Sequence, residues 1–360
     1  MLLQSVARYA FAFRYPDPRR HQARAGIHAR DGEVYAALLR GAFLASARCT
    51  TGSRELVSSS SRIPRAPRGG EVVRRLVPLL VIVASTFSLY AGQVTAPPAL
   101  PDSVKFAVIG DNGTGEAAQY AVGEQMAAAR GTFPFTFVLM LGDNIYGRQE
   151  PQDFVDKFER PYTTLLKAGV QFYAALGNHD KPTNRLYKPF NMNGERYYTF
   201  VRKNVRFFVL DTGLLDARQL SWLESALKAS AEGWKICYFH HPLYSNAGRH
   251  GSDVALRVAL EPLLVKYGVD VVFSGHDHVY ERLKPQKGIT YFVAGASGQL
   301  RKGDVNPAAS TAAFFDTDHT FMLVDVGGDE MRFQARARTG RVVDSATIRR
   351  RTAEAEDGTL

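Results

Sequence analysis

The chain has 360 residues, 45% hydrophobic and 22% charged, a globular composition that excludes a wholly disordered chain and allows a sizeable core. Its net charge of +10 points first to nucleic acid, yet residues 1–100 carry 14 Arg, no Lys and 5 acids, while residues 101–360 carry 31 basic and 30 acidic residues. The charge sits in the leader and the rest is near neutral, so no nucleic-acid partner is expected.

Residues 1–71 are Arg-rich, free of lysine and without a sustained apolar period, which predicts disorder. Arg74 and Arg75 then precede about 16 largely apolar residues, Leu76 to Ala91. A basic start, a short apolar run and small residues after it predict a signal peptide over 72–92. An uncleaved membrane anchor is the alternative. A signal peptide belongs at an N-terminus, so translation is expected to start near Val72 or Val73, with the upstream residues a gene-model artefact or an Arg-rich transit peptide. Localisation is therefore expected to be secreted or periplasmic. Residues 93–103 are a Pro-rich linker.

From residue 104 strands and helices alternate. "VKFAVIG", "FTFVLMLG" and "VQFYAALG" are β-branched or aromatic runs ended by glycine, hence buried strands. Between them, residues 115–130 predict a helix, and residues 152–169 a helix broken before Pro161. "RYYTFVRKNVRFFVLDT" predicts a hairpin turning at Lys203–Asn204. "ARQLSWLESALKAS" and "DVALRVALEPLLVKYG" predict helices, and "KICYFHHP" and "VDVVFSGHDH" strands. Strands over 288–298 and 319–338 complete a domain expected over 104–345, with a polar tail at 346–360. The alternation predicts α/β packing with late antiparallel hairpins.

Five strands end in short polar clusters: "GDNG", "GDNIY", "GNHD", "HHP" and "GHDH". Ligands of open α/β sheets bind where the carboxyl ends of strands meet loops. Alone, each cluster has a plainer explanation. A strand-end Asp is commonly a turn or helix-cap residue. Together they are harder to dismiss, because five of the nine histidines fall in three of these clusters. His276 and His278 alternate and would share one face of an extended segment. The chain's two cysteines, Cys49 and Cys237, lie far apart in sequence and exclude a thiolate cluster. Carboxylate and imidazole ligands without thiolate suit zinc, iron or manganese. Six or seven ligands exceed one tetrahedral site and suit two ions sharing a carboxylate, the arrangement that clamps attacking and leaving oxygens in hydrolysis.

The motifs resemble those of the calcineurin-like metallophosphoesterases, and among them the small, tartrate-resistant type of purple acid phosphatase. The resemblance rests on Asp111 in "GDNG", Asp143 and Tyr146 in "GDNIY", "GNHD" at 177–180, "CYFH" at 237–240 and "GHDH" at 275–278. Cys237 replaces the family's valine, and Gly113 stands where the wider superfamily has histidine. The resemblance implies a four-layer αββα sandwich of two mixed sheets flanked by helices. It implies Asp111, Tyr146 and His278 on Fe(III), Asn178, His240 and His276 on a second ion, Fe(II), Zn(II) or Mn(II), and Asp143 on both. His179 and His250 would contact the phosphate, His179 as the acid. His241 and Asp277 would support the ligands from behind. The implied activity is an acid phosphatase that hydrolyses phosphate monoesters by in-line attack of a metal-bound hydroxide on small phosphorylated substrates. A phosphodiesterase, or a nucleotide or phosphoprotein phosphatase, is the alternative, and a non-catalytic metal or phosphate binder the remote one. A membrane partner is expected only if the leader is uncleaved.

Overall fold

Glycine-ended apolar runs become strands here, and the amphipathic runs between them become helices. The computed structural model describes residues 100–351. The predicted disordered segment, the leader 72–92 and most of the linker lie outside the described residues, as do residues 352–360.

Strand β1 (Val104–Ile109) leads through helix α1 (Ala117–Arg130) to β2 (Phe137–Met140). The next helix is broken where Pro161 predicts it. It forms as α2 (Pro151–Phe154), a π-helical turn over Val155–Glu159, and α3 (Thr163–Lys167). Arg160 N donates to Val155 O at 2.9 Å, the wide spacing of a π-turn, just ahead of a residue that has no N–H to continue the ladder. β3 (Gln171–Ala174) follows, then the hairpin of β4 (Tyr198–Arg202) and β5 (Val205–Val209). It turns at Lys203, whose φ is +51°. Helix α4 (Ala217–Ala229) starts at Asp216, which accepts from Gln219 N at 2.8 Å. β6 (Trp234–Tyr238), α5 (Val254–Lys266) and β7 (Val271–Ser274) complete the α/β part. The remaining strands are β8 (Tyr280–Leu283), β9 (Thr290–Ala294), β10 (Thr311–Phe315), β11 (Thr320–Gly327), β12 (Glu330–Ala337) and β13 (Val342–Arg349).

The strands form two mixed sheets, ordered β13-β12-β11-β1-β2-β3 and β10-β8-β9-β7-β6-β5-β4. β1, β2 and β3 are parallel neighbours in the first, and β5, β6, β7 and β9 in the second. Aromatic side chains fill the space between the sheets: Phe106 stacks on Phe137 at 5.3 Å and meets Phe207 edge-on at 5.4 Å. α1 and α3 cover the first sheet with Val122, Met126 and Leu165. α4 and α5 cover the second with Leu220, Leu223, Leu227, Leu260 and Leu264. The result is the expected four-layer αββα sandwich.

Two boundaries need correction. The domain does not stop at 345, because β13 continues to Arg349, paired with Glu330 of β12. Leu100, expected in the linker, is tied to the domain by its N–H, which donates to Asp325 Oδ2 at 3.0 Å.

Candidate metal centre

The parallel strands point their carboxyl ends at one place, where the two sheets meet. Asp111 follows β1, Asp143 and Tyr146 follow β2, and Asn178 and His179 follow β3. His240 and His241 follow β6, and His276 and His278 follow β7. The turns are tight and strained. Asp111, Asp143 and His276 take φ of +51°, +53° and +70°, a region that costs a non-glycine residue energy and is kept where function needs it. Glycine is required beside them. A Cβ on Gly177 would lie 2.2 Å from Asp143 Oδ1, and one on Gly275 2.4 Å from Asp111 Oδ2.

Backbone amides hold the carboxylates in place. His276 N donates to Asp111 Oδ2 at 2.9 Å, and His179 N donates to Asp143 Oδ1 at 2.8 Å. Asp180 staples the loop behind Asp143. Its buried carboxylate accepts from the backbone of Asn144, Ile145 and Gly177 and from Asn184 Nδ2, at 2.9–3.2 Å. Burial, then the charge of Asp143, pushes Asp180 up to about 7 despite these donors.

Two ligand groups face each other. In the first, Asp111 Oδ1 lies 3.3 Å from Tyr146 Oη and 3.4 Å from His278 Nε2, and Tyr146 Oη lies 3.4 Å from His278 Nε2. These are long for hydrogen bonds. Two ligand atoms about 2.1 Å from one ion lie about 3.0–3.4 Å apart at octahedral to tetrahedral angles. In the second group the Leu141 carbonyl can only accept, so His240 Nδ1–H donates to it at 3.0 Å. Its Nε2 faces Asn178 Oδ1 at 2.9 Å and His276 Nδ1 at 3.2 Å. Imidazole nitrogens and an amide oxygen brought this close together are the atoms a cation site needs. Asp143 belongs to both groups: it clusters with Asp111 and His278, and its Oδ1 lies 3.5 Å from His240 Nε2. The donor set, oxygen and imidazole without sulfur, fits two hard or borderline cations.

The histidine pair does not behave as an extended segment. The turn at His276 sends its ring to His240, while His278 reaches Asp111. The two serve different groups, as the resemblance implies and strand alternation does not. Burial lowers the basicity of both rings. The same cause raises Asp111, with the charge of Asp143 adding to it and that of His240 opposing it. Exposed His179 rests on Tyr146 with ring centres 4.9 Å apart, and His250 on His276 at 4.2 Å.

His241 is buried beside this centre, held by Thr212. The Thr212 hydroxyl accepts from His241 N at 3.2 Å and shares a hydrogen bond with His241 Nδ1 at 2.9 Å. Burial holds the ring neutral, with a pKa down at about 3. Its ring lies among those of His240 and His276, with Nδ1 engaged by Thr212. Asp277 is corrected in detail. It is fully buried, and its Oδ2 accepts from Ser245 Oγ at 2.6 Å, not from an imidazole. With Glu281, which accepts from Asn246 N at 2.8 Å, it fastens the loop that carries His250. Sequence reasoning missed Thr212 and the role of Asp180, though Asp180 stood in plain view inside "GNHD".

Residues 104–280 match the family model described as calcineurin-like phosphoesterase. Human tartrate-resistant acid phosphatase type 5 is 29% identical over 251 residues, covering 57% of this chain and 77% of the relative. Purple acid phosphatase 3 of Arabidopsis thaliana is 30% identical over 297 residues, covering 70% of this chain and 80% of the relative. The chain belongs to the purple acid phosphatase family. A solved purple acid phosphatase from yellow lupin seeds shares the fold, with a TM-score of 0.56 at 20% identity over 71% of this chain and 55% of that one. Purple acid phosphatases depend on two metal ions, which agrees with the two ligand groups around Asp143.

Proposed function

We propose that this purple acid phosphatase hydrolyses phosphate monoesters of small molecules at a centre of two metal ions. One observation carries the reading: two groups of inward-facing ligand atoms share Asp143 at the seam of the sheets. Asp111, Tyr146 and His278 would hold the first ion, Asn178, His240 and His276 the second, and Asp143 both. Burial and the charges of Asp111 and Asp143 push the Tyr146 phenol far up, so only a highly charged cation would hold it as phenolate. That supports Fe(III) in the first position. Fe(II), Zn(II) or Mn(II) suits the Asn and His set of the second.

When bound, such ions supply a water acidified towards neutral pH and neutralise phosphoryl oxygens. The chain does the rest. His179 stands exposed at the rim, tethered through its own N–H to Asp143, placed to give a proton to the leaving alkoxide. His250 and His241, beside the second ligand group, would donate to phosphoryl oxygens. Asp180, Asp277 and Glu281 keep the loops that carry these groups in register. Assays on p-nitrophenyl phosphate and bis(p-nitrophenyl) phosphate test the reading. Monoester turnover is expected. Diester turnover without monoester turnover would contradict it.

The basic, then apolar run over 72–92 supports action outside the cytoplasm, secreted or periplasmic, or held at a membrane if the run is uncleaved. Mass spectrometry of the native N-terminus checks this, and peptides from residues 1–60 would speak against it.

A further inference from the structure

Arg301 lies on the loop after β9, beyond the segment matched by the family model. Three backbone bonds stitch this loop to the first ligand group. Ser297 N donates to Gly110 O at 3.2 Å, Gln299 N to Asp111 O at 2.9 Å, and Arg301 N to His278 O at 2.9 Å. Further along, the same loop is zipped to the loop that carries His250. Gly248 N donates to Asp304 O at 2.7 Å, Asn306 N donates to Asn246 O at 2.9 Å, and Ala247 bridges Val305. Arg301 is thus fixed between the ligands Asp111 and His278 on one side and His250 on the other.

Its side chain is left incomplete. Arg301 Nη1 is buried and has no hydrogen-bond partner. Asp304, the acid nearest along the loop, is turned to Arg249 N, at 3.4 Å from its Oδ2. A guanidinium that only anchored a loop would set its N–H groups on carbonyls, and one that was merely solvated would be open to water. A buried cationic donor without an acceptor is costly, and anions are what complete it. Nothing in the sequence signals it, because the loop has no periodic pattern.

We propose that Arg301 binds a non-bridging oxygen of the substrate's phosphoryl group, beside His250. The role rests on the phosphatase reading above. It also predicts the fork: the planar guanidinium holds an oxygen that the compact ammonium of lysine reaches less well.

The test uses the full chain loaded with metal: wild type, Arg301→Ala, Arg301→Lys and, as an exposed neighbour, Lys302→Ala. Calorimetry with inorganic phosphate measures binding, and p-nitrophenyl phosphate hydrolysis measures KM and kcat. Arg301→Ala is expected to weaken phosphate binding about 10- to 100-fold and to raise KM in step, with metal content unchanged. Arg301→Lys should recover part of the loss, and Lys302→Ala should stay within about twofold of wild type. Phosphate affinity of Arg301→Ala within about twofold of wild type, in protein that keeps its metals and turns over substrate, overturns the role of Arg301 alone. Loss of metal from both Arg301 variants also overturns it, in favour of a support for His278. Wild type that holds its metals but neither binds phosphate nor turns over substrate overturns the functional reading itself.

Discussion

At the scale of single residues the centre is built by subtraction as much as by addition. Two histidines near it have one nitrogen engaged elsewhere, His240 on the Leu141 carbonyl and His241 on the Thr212 hydroxyl, which orients their rings before any ion arrives. Thr212→Val keeps the volume and removes the hydroxyl that fixes His241. We expect kcat to fall about 10-fold with metal content intact, and an unchanged kcat would show that the hydroxyl's hold on His241 is irrelevant. Asp143→Asn weakens both ligand groups at once, and steady-state assays should show at least a ~100-fold loss of turnover. The ligands were legible in the sequence because all seven sit in short clusters at the ends of apolar runs, four of them directly after a glycine, a position with no use for Asp or His in packing. Thr212 and Arg301 were not, because their partners are brought in by folding from 29 and 23 residues away.

At the scale of elements, positions are set by strand ends and by the joints between them. Gly275→Ala would force a methyl against Asp111 Oδ2, and weaker binding of the first ion is expected by titration. A second joint lies far from the centre. Arg206 of β5 grips Glu232, ahead of β6, with two bonds at 2.7 and 2.8 Å. This bond to Arg206 holds the Glu232 carboxyl down at about 2. A depressed carboxyl stabilises the fold above its unfolded pKa, and the contribution fades as pH falls from about 4.5 to about 2. Glu232→Gln should therefore melt below wild type at pH 6, with the gap closing towards pH 2. A gap that widens on acidification would contradict the pairing. The strands the sequence concealed are β8, β10 and β13. β8 carries Glu281 and Arg282 in a four-residue run, β10 is an edge strand, and β13 alternates polar residues that face solvent. Their pairing partners, not their own patterns, make them strands. The broken helix at Pro161 was legible because proline acts locally.

At the scale of the molecule, two sheets with aromatic side chains between them act as a rigid frame that brings five strand ends together. The frame holds carboxylates and a phenol at the seam against their mutual repulsion, and Asp111 is raised by burial and by Asp143. Cations relieve that cost, so metal binding and folding should be coupled. Ions present at about 1,000 times their Kd stabilise by about 4 kcal/mol, and chelation should lower Tm by about 10 °C in a domain of this size. Equal Tm with and without metal would mean that the ligand groups are structural. The central claim is that Asp143 joins two metal sites and not one. The most direct test is the metal content per chain of active, gel-filtered protein, measured by elemental analysis. We predict two ions per chain; a content of one ion or none in protein that hydrolyses p-nitrophenyl phosphate at full rate would contradict it.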